Sequence, residues 1–168
     1  MFQTILVATD GSDHGRNATR VAGGLAGRLG ARLYVAHVIT DQPVPEPLHR
    51  MAEVEHLVKE TEPEQGSSLG RLSLKASPRT TNQRIAAAVA TRVLEQAGTL
   101  AKAEGAEDVV PLELSGDAAE AVIEAVRDRG VDLVVIGSRG FGAFGRLVHG
   151  SVSSKVSHDV ACPVMVVK

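Results

Sequence analysis

The sequence predicts an α/β fold: an open, five-stranded parallel sheet of strand order 3-2-1-4-5, with helices on both faces. Short apolar runs bounded by turn residues alternate along the chain with longer apolar stripes of helical period. Successive runs are separated by long crossovers, which favour parallel pairing with right-handed connections. Pro111 lies in the third run and cannot donate to a ladder on one side, so the third strand is expected at the rim.

The first βαβ unit is predicted within residues 4–39. Residues 4–8 form an apolar run closed by Asp10, Gly11 and Ser12, which is typical of a strand buried on both faces and followed by a turn. Apolar residues recur at helical spacing from 14 to 29, which predicts an amphipathic helix. Gly30 can adopt the left-handed conformation that ends a helix. The second strand is predicted at 33–39.

Residues 41–81 break this rhythm, with five prolines placed among charged residues. We expect an inserted segment that contains one short helix at 48–60. The rest of it has too little apolar material to fold alone, so part of the segment should be mobile. Because 168 residues suit one compact core, we interpret 1–168 as a single domain that carries this insertion at about 41–81.

The alternation resumes after the insertion. A helical stripe runs from Ile85 toward Gly105. A capping box of the form Asp-x-x-Glu at 117–120 begins the next helix, which Gly130 ends. The remaining strands are predicted at 109–114, 133–136 and 163–167. A short helix is predicted at 151–158.

Composition and charge exclude several classes of function. Eighteen Lys and Arg against 20 Asp and Glu give a net charge of −2, which argues against nucleic acid or an anionic membrane as partner. Three Phe, one Tyr and no Trp leave few platforms for stacking single-stranded bases. Cys162 is the only cysteine, which excludes an intrachain disulfide. The first residues lack a basic n-region, and no run reaches the roughly 20 apolar residues of a membrane span, so we expect a cytoplasmic protein.

The predicted strand order places the reversal of winding between strands one and four. Ligands of open parallel sheets bind at that point, outside the carboxyl ends of the strands. The two strand exits that meet there are residues 8–11 and 137–140, and both are rich in glycine and polar residues. We therefore expect the two exits to flank one cleft.

The second exit continues as a glycine-rich stretch, residues 137–150, which leads into the helix predicted at 151–158. Glycines let backbone amides approach a phosphate without a Cβ clash, and the first-turn amides of a helix supply unpaired donors. Positive charge or donor groups nearby come from Arg139, Arg146, His149, Ser151 and Ser153. The stretch therefore predicts a phosphate-binding site.

The glycine spacing resembles that of the universal stress protein family, in its ATP-binding branch. Gly137, Gly140, Gly150 and Ser151 match the family signature Gly-x2-Gly-x9-Gly-[Ser/Thr] without a gap. Nearly all of the chain outside 41–81 is similar to the family, including the opening ILVATDGS, the segment DLVVIG and the closing CPVMVVK. The resemblance implies an adenine nucleotide alpha hydrolase-like fold that binds ATP, with Mg²⁺ carried by the nucleotide.

The resemblance also implies roles for individual residues. Asp10 would lie near the ribose or a phosphate-bound metal, and Val38 would contact adenine. Ile136 and Gly137 would border the nucleoside. The phosphates would be held by Gly140, Gly150, Ser151, Val152 and Ser153. The two strand exits add Ala8, Thr9 and Arg139 to the predicted nucleotide-binding residues.

The last strand is an edge in the predicted order. It is an apolar row with one terminal charge, which is a poor defence against pairing with another chain. The resemblance implies the same contact, with two copies of the strand running antiparallel across a two-fold axis. We therefore expect a homodimer through Val164 to Val167.

Plainer interpretations compete with some of these assignments. Asp10 could simply begin an Asp-Gly turn, and the glycine-rich stretch could be a flexible surface connection. A metal site built from His49, Glu53 and His56 is less favoured than a solvated helical face. His37 is interpreted as a packed or hydrogen-bonded strand residue, and no catalytic residue is assigned.

Three classes of function follow from these observations. The leading hypothesis is a regulatory ATP-binding protein with at most slow hydrolysis, for which the family resemblance supplies the link to stress. A nucleotide-dependent transferase on the same fold would need a further base or metal ligand, for which Asp10 is the only candidate. The third class is a dimeric scaffold without a nucleotide, and the intact signature at 137–151 argues against it.

Overall fold

The structure is a computed structural model that describes residues 1–40, 44–46, 50, 81–141 and 150–168. The chain divides into two units, Met1–Gln42 with Ala90–Lys168 and Pro43–Val89. All the site residues discussed below belong to the first unit. Several predictions lie outside the described residues: the helix at 48–60, a mobile part of the insertion, the cluster His49, Glu53 and His56, and the side chains of Arg146 and His149.

Strands and helices alternate through the described chain. The strands are β1 (Thr4–Ala8), β2 (Arg32–Ile39), β3 (Val109–Ser115), β4 (Leu133–Gly137) and β5 (Val164–Val167). The helices are α1 (Asp13–Leu29), α2 (Thr81–Ala103), α3 (Ala118–Asp128) and α4 (Ser151–Asp159). The largest difference from prediction is at the start of α2, because residues 81–84 are polar and show no apolar period.

The sheet has the order β3-β2-β1-β4-β5, and every neighbouring pair of strands is parallel. The predicted fold class and strand order are thereby confirmed. Pro111 lies on the edge strand β3, in register with Val35 of β2. At the carboxyl ends of the central strands, Ala8 of β1 is in register with Ile136 of β4. The winding therefore reverses between β1 and β4, where ligands of this class of sheet bind.

Two hydrophobic cores cover the two faces of the sheet, because successive residues of a strand point to opposite sides. In β1, Ile5, Leu6 and Val7 are fully buried, as expected of a central strand. The core on the α1 face contains Ile5, Val7, Leu33, Val35 and Val135 with Ala18, Ala22, Ala97 and Ala101. The core on the α3 and α4 face contains Leu6, Ala36, Val134 and Ile136 with Val122, Val126 and Val156.

Local side-chain contacts fix where α1 and α3 begin. The hydroxyl of Ser12 accepts from the amide of Gly15 at 3.2 Å, and Asp117 accepts from the amides of Ala119 and Glu120 at 3.1 and 3.0 Å. The Asp117 contact of the predicted capping box is thus present. The Glu120 contact is replaced by an ion pair between the Glu120 carboxylate and Lys155 at 3.0 Å. No helix within the described ranges is both long enough and apolar enough to cross a membrane.

Candidate functional site

The exit of β1 is a tight turn built on Thr9. The amide of Thr9 donates to the carbonyl of Ala36 at 2.9 Å, and its hydroxyl accepts from the amide of Gly11 at 3.2 Å. The ring Nδ1 of His37 donates to the Thr9 carbonyl at 2.9 Å. Thr9 is buried, so the polar atoms at this exit are fixed by protein partners.

Asp10 joins this turn to the exit of β4. Its Oδ1 accepts from the amide of Ser12 at 3.0 Å, which is the turn contact that the plainer interpretation expects. Its Oδ2 accepts from the amide of Phe141 at 2.8 Å, across 131 residues of sequence. The hydroxyl of Ser12 approaches the carbonyl of Arg139 at 3.5 Å. The structure thus brings the two predicted exits together.

The exit of β4 is bonded to the start of α4 through Ser138, which is 2% exposed. Its amide donates to the carbonyl of Val167 at 2.6 Å, and its carbonyl accepts from the amide of Gly150 at 2.8 Å. Its hydroxyl lies 3.4 Å from Nδ1 of His14 on α1. Four elements therefore meet at this one residue.

The first turn of α4 faces this junction. Gly150 is its N-cap residue and offers no side chain to cap the helix, unlike Ser12 and Asp117 at the starts of α1 and α3. The hydroxyl of Ser153 is buried and donates to the carbonyl of Gly150 at 3.0 Å. Because that hydroxyl hydrogen is used within the turn, the donors left at the start of α4 are its main-chain amides and the exposed Ser151.

The three glycines of the signature each lie where another part of the protein approaches closely. A Cβ on Gly137 would lie 2.9 Å from the carbonyl carbon of His14, and a Cβ on Gly140 would overlap Oδ2 of Asp10. A Cβ on Gly150 would lie 3.3 Å from the carbonyl oxygen of Ser138. Close packing between the exit of β4 and α1 therefore requires glycine at 137, and a side chain at 140 would displace the carboxylate of Asp10, before any ligand is considered.

Apolar residues line the same end of the sheet on its α3 face. Ile136 is part of the core there, at 5% exposure. Ala8, Val38 and Val152 are partly buried and pack against that core. All four residues belong to the predicted nucleotide-binding set, and the structure brings them to one hydrophobic cluster.

Charged and titratable groups at this edge include Arg16, which donates to the carbonyl of Gly11, and also His37 and Arg139. Burial lowers the pKa of His37 below its ordinary value, against the raising effects of its bond to Thr9 and of Asp10 and Glu113. Arg139 is exposed. In the part of the chain that the structure describes, no three His, Cys, Asp or Glu side chains are grouped so that they could hold a metal ion.

Sequence reasoning missed four contributors to this edge. Gly15 leaves room for Thr9 and Asp10, Ser138 connects β4 to α4 and β5, His14 contacts Ser138, and the amide of Phe141 receives Asp10. No local pattern signals these contacts, since each of the last three joins segments far apart in sequence.

The fold and this edge define a doubly wound α/β protein whose two strand exits meet at the switch point of the sheet. The Usp family model, described as the universal stress protein family, matches residues 1–168. The chain is 35% identical over 168 residues to a universal stress protein encoded in the QAH/OAS sulfhydrylase 3'region of Thermus aquaticus, and the match covers all of both chains. The chain belongs to the universal stress protein family.

Solved structures of the family share the fold. A universal stress protein in complex with cAMP has a TM-score of 0.67 at 24% identity, over 99% of this chain and 97% of that one. The universal stress protein of Archaeoglobus fulgidus in complex with dAMP has a TM-score of 0.63 at 22% identity, over 99% and 98% of the two chains. At these identities the likeness establishes the fold.

Proposed function

We propose that this chain binds ATP with Mg²⁺ in the cleft between β1 and β4 and acts as a regulatory nucleotide-binding domain in a stress response. The observation that carries the proposal is the hydrogen bond between Asp10 and the amide of Phe141, which joins the two strand exits beside the start of α4. Family membership and the two relatives solved with cAMP and dAMP support an adenine nucleotide as the ligand.

In the proposed arrangement, the adenine contacts the apolar end of the sheet formed by Ala8, Val38 and Ile136. Aliphatic side chains suit a base here because the protein has few aromatic residues. The nucleoside borders Thr9, Asp10 and Gly137. The phosphates occupy the start of α4, whose amides are donors at the positive end of a helix dipole. They are contacted by Arg139, Gly140, Gly150, Ser151, Val152 and Ser153.

The residues at this edge are better suited to a metal ion that arrives bound to the nucleotide than to a metal ion that the protein binds alone. Magnesium in nucleotide sites takes its ligands from phosphates and water, with one or two carboxylates from the protein. Asp10 places a carboxylate at this edge, but both of its oxygens already accept hydrogen bonds, so the metal would take its ligands from phosphates and water. When bound, Mg²⁺ would neutralise phosphate charge.

We also propose that 1–168 is one universal stress protein domain with an insertion at about 41–81. We propose further that it acts in the cytoplasm.

The protein is also proposed to form a homodimer through β5. This strand pairs with β4 on one side, and within the described residues no strand pairs with its other side. Met165 is 39% exposed there. An apolar, unpaired edge supports association between two copies of the strand about a two-fold axis.

Mass spectrometry of the gently purified protein tests the proposed ligand. Under non-denaturing conditions we expect an added mass equal to an adenine nucleotide, which is released when the protein is denatured. A protein that carries no nucleotide and takes none up from added Mg-ATP would contradict the proposal and favour a scaffold that acts without a nucleotide.

A further inference from the structure

The carboxylate of Asp10 has a hydrogen-bond partner on each oxygen. Oδ1 accepts from the amide of Ser12, and Oδ2 accepts from the amide of Phe141 at 2.8 Å. A hydrogen bond to an ionised acceptor is about twice as strong as a neutral one. Asp10 is therefore a strong non-local link between the exit of β1 and the first residues after β4.

Two glycines provide the space that this carboxylate occupies. A Cβ on Gly15 would lie 3.1 Å from Oδ1, and a Cβ on Gly140 would overlap Oδ2. Side chains at these positions would displace the carboxylate or the backbone beside it. The orientation of Asp10 toward Phe141 thus depends most on the absence of a Cβ at position 140.

A second point at this edge is held at the start of α4. The amide of Gly150 donates to the carbonyl of Ser138, and the amide of Ser138 donates to the carbonyl of Val167 at the end of β5. Phe141 and Gly150 are therefore both held by hydrogen bonds at the same edge of the sheet. Main-chain groups that are fixed before a ligand arrives lower the ordering cost that binding has to overcome.

We propose that Asp10 is a positioning residue: its carboxylate holds Gly140 and Phe141 where the phosphates bind, and it does not coordinate the accompanying Mg²⁺. This role rests on the proposed function, because it lies within the proposed nucleotide site. The two amides also stabilise the charge of the carboxylate, which reduces its repulsion of a neighbouring phosphate.

The variant Asp10→Asn tests this role with little change in size. The amide oxygen of the new side chain can keep the bond to Ser12. Its NH₂ group then faces the N–H of Phe141, and two donors cannot form a hydrogen bond with each other. Asp13→Asn is the matched control, since it makes the same change of charge three residues away. The Asp13 side chain is 87% exposed and pairs with Arg16.

Two measurements are needed on each protein. Calorimetry gives the ATP affinity in Mg²⁺ and, separately, in EDTA, and hydrogen exchange reports the protection of the Phe141 amide without nucleotide. We expect Asp10→Asn to weaken ATP binding about tenfold in both solutions and to speed exchange at Phe141. Asp13→Asn should match the unmodified protein, and exchange at the amides of β2 should confirm that every variant is folded.

Two results would overturn the positioning role. A loss of affinity confined to solutions with Mg²⁺ would make Asp10 a metal ligand, and unchanged affinity or unchanged exchange at Phe141 would leave Asp10 no positioning role. If the unmodified protein binds no ATP, the proposed function fails. Exchange at Phe141 then decides independently whether Asp10 holds Phe141 in place.

Discussion

The carbonyl oxygen of Ser138 accepts a hydrogen bond from the amide of Gly150 at 2.8 Å, so the residue that follows β4 is bonded to the N-cap residue of α4. Ser138 also donates to the carbonyl of Val167 in β5. The proposed phosphate site and the proposed dimer edge are consequently connected through one buried residue.

Two glycines of α1 should respond in opposite ways to the same substitution. A Cβ on Gly27 would overlap the carbonyl oxygen of Gly105, whereas a Cβ on Gly24 would lie 3.4 Å from the flexible end of Arg28. Urea denaturation should show that Gly27→Ala lowers the free energy of unfolding by about 1 to 3 kcal/mol. Gly24→Ala should raise it by up to about 1 kcal/mol, because alanine favours a helix. Equal effects would contradict the close approach of α1 to the end of α2.

His37 should make the protein less stable as the pH falls. Burial lowers its pKa in the folded chain below the ordinary value of 6.5, despite the nearby carboxylates of Asp10 and Glu113. The unfolded chain therefore takes up the proton first, and the free energy of unfolding should fall as the pH drops below about 6.5.

The variant His37→Asn isolates this effect, because its side-chain amide can still donate to the Thr9 carbonyl but does not titrate. Denaturation at a series of pH values should show a flatter decline for His37→Asn than for the unmodified protein. His158→Asn, at a side chain that is 89% exposed, serves as the control. An unaltered slope in His37→Asn would show that another group causes the decline.

Lysine in β5 should separate the proposed dimer into monomers. Val166→Lys would bring like charges together across a two-fold axis and interrupt the apolar row. Val166 also packs partly against the core, so Met165→Lys, at an exposed position, is the cleaner variant. Light scattering should give a dimer for the unmodified protein and for Val21→Lys, an exposed control on α1, and a monomer for the β5 variants. A dimer that tolerates both β5 changes would place the interface elsewhere.

Any hydrolysis of ATP should be slow. The site has donors for phosphate, but in the described residues the nearest carboxylate, Asp10, is engaged by two amides and is poorly placed to activate water. Phosphate release assays with Mg-ATP should give a turnover far below the roughly 10 per second of a typical enzyme. A rate near that value would reveal a catalytic group that neither the sequence nor the described structure identifies.

The sequence predicted the architecture well because its strongest signals are local. Pro111 indicated the rim strand, and that single assignment determined the strand order. Gly30 has a φ of +62°, as predicted for the stop of α1. The start of α2 was missed by four residues because polar residues carry no apolar period.

The site was predictable only in outline. The glycine signature and the order of strands indicated which two exits meet. They did not indicate that Asp10 bonds to Phe141, or that four elements meet at Ser138, because such contacts depend on distances between segments remote in sequence. Gly137 was predicted to border the nucleoside and Gly140 to approach the phosphates, and the structure supplies a further reason for both glycines in the packing of His14 and Asp10.

Calorimetric titration of ATP with Mg²⁺ into the unmodified protein and into Gly140→Ala tests the central proposal most directly. A Cβ at 140 would overlap Oδ2 of Asp10, whereas Gly98 on α2 has open space and Gly98→Ala is the control. We predict saturable binding of one ATP per chain that Gly98→Ala retains and that Gly140→Ala weakens at least about tenfold. No binding to the unmodified protein at about 1 mM ATP, or equal affinity in Gly140→Ala, would contradict a nucleotide site between β1 and β4.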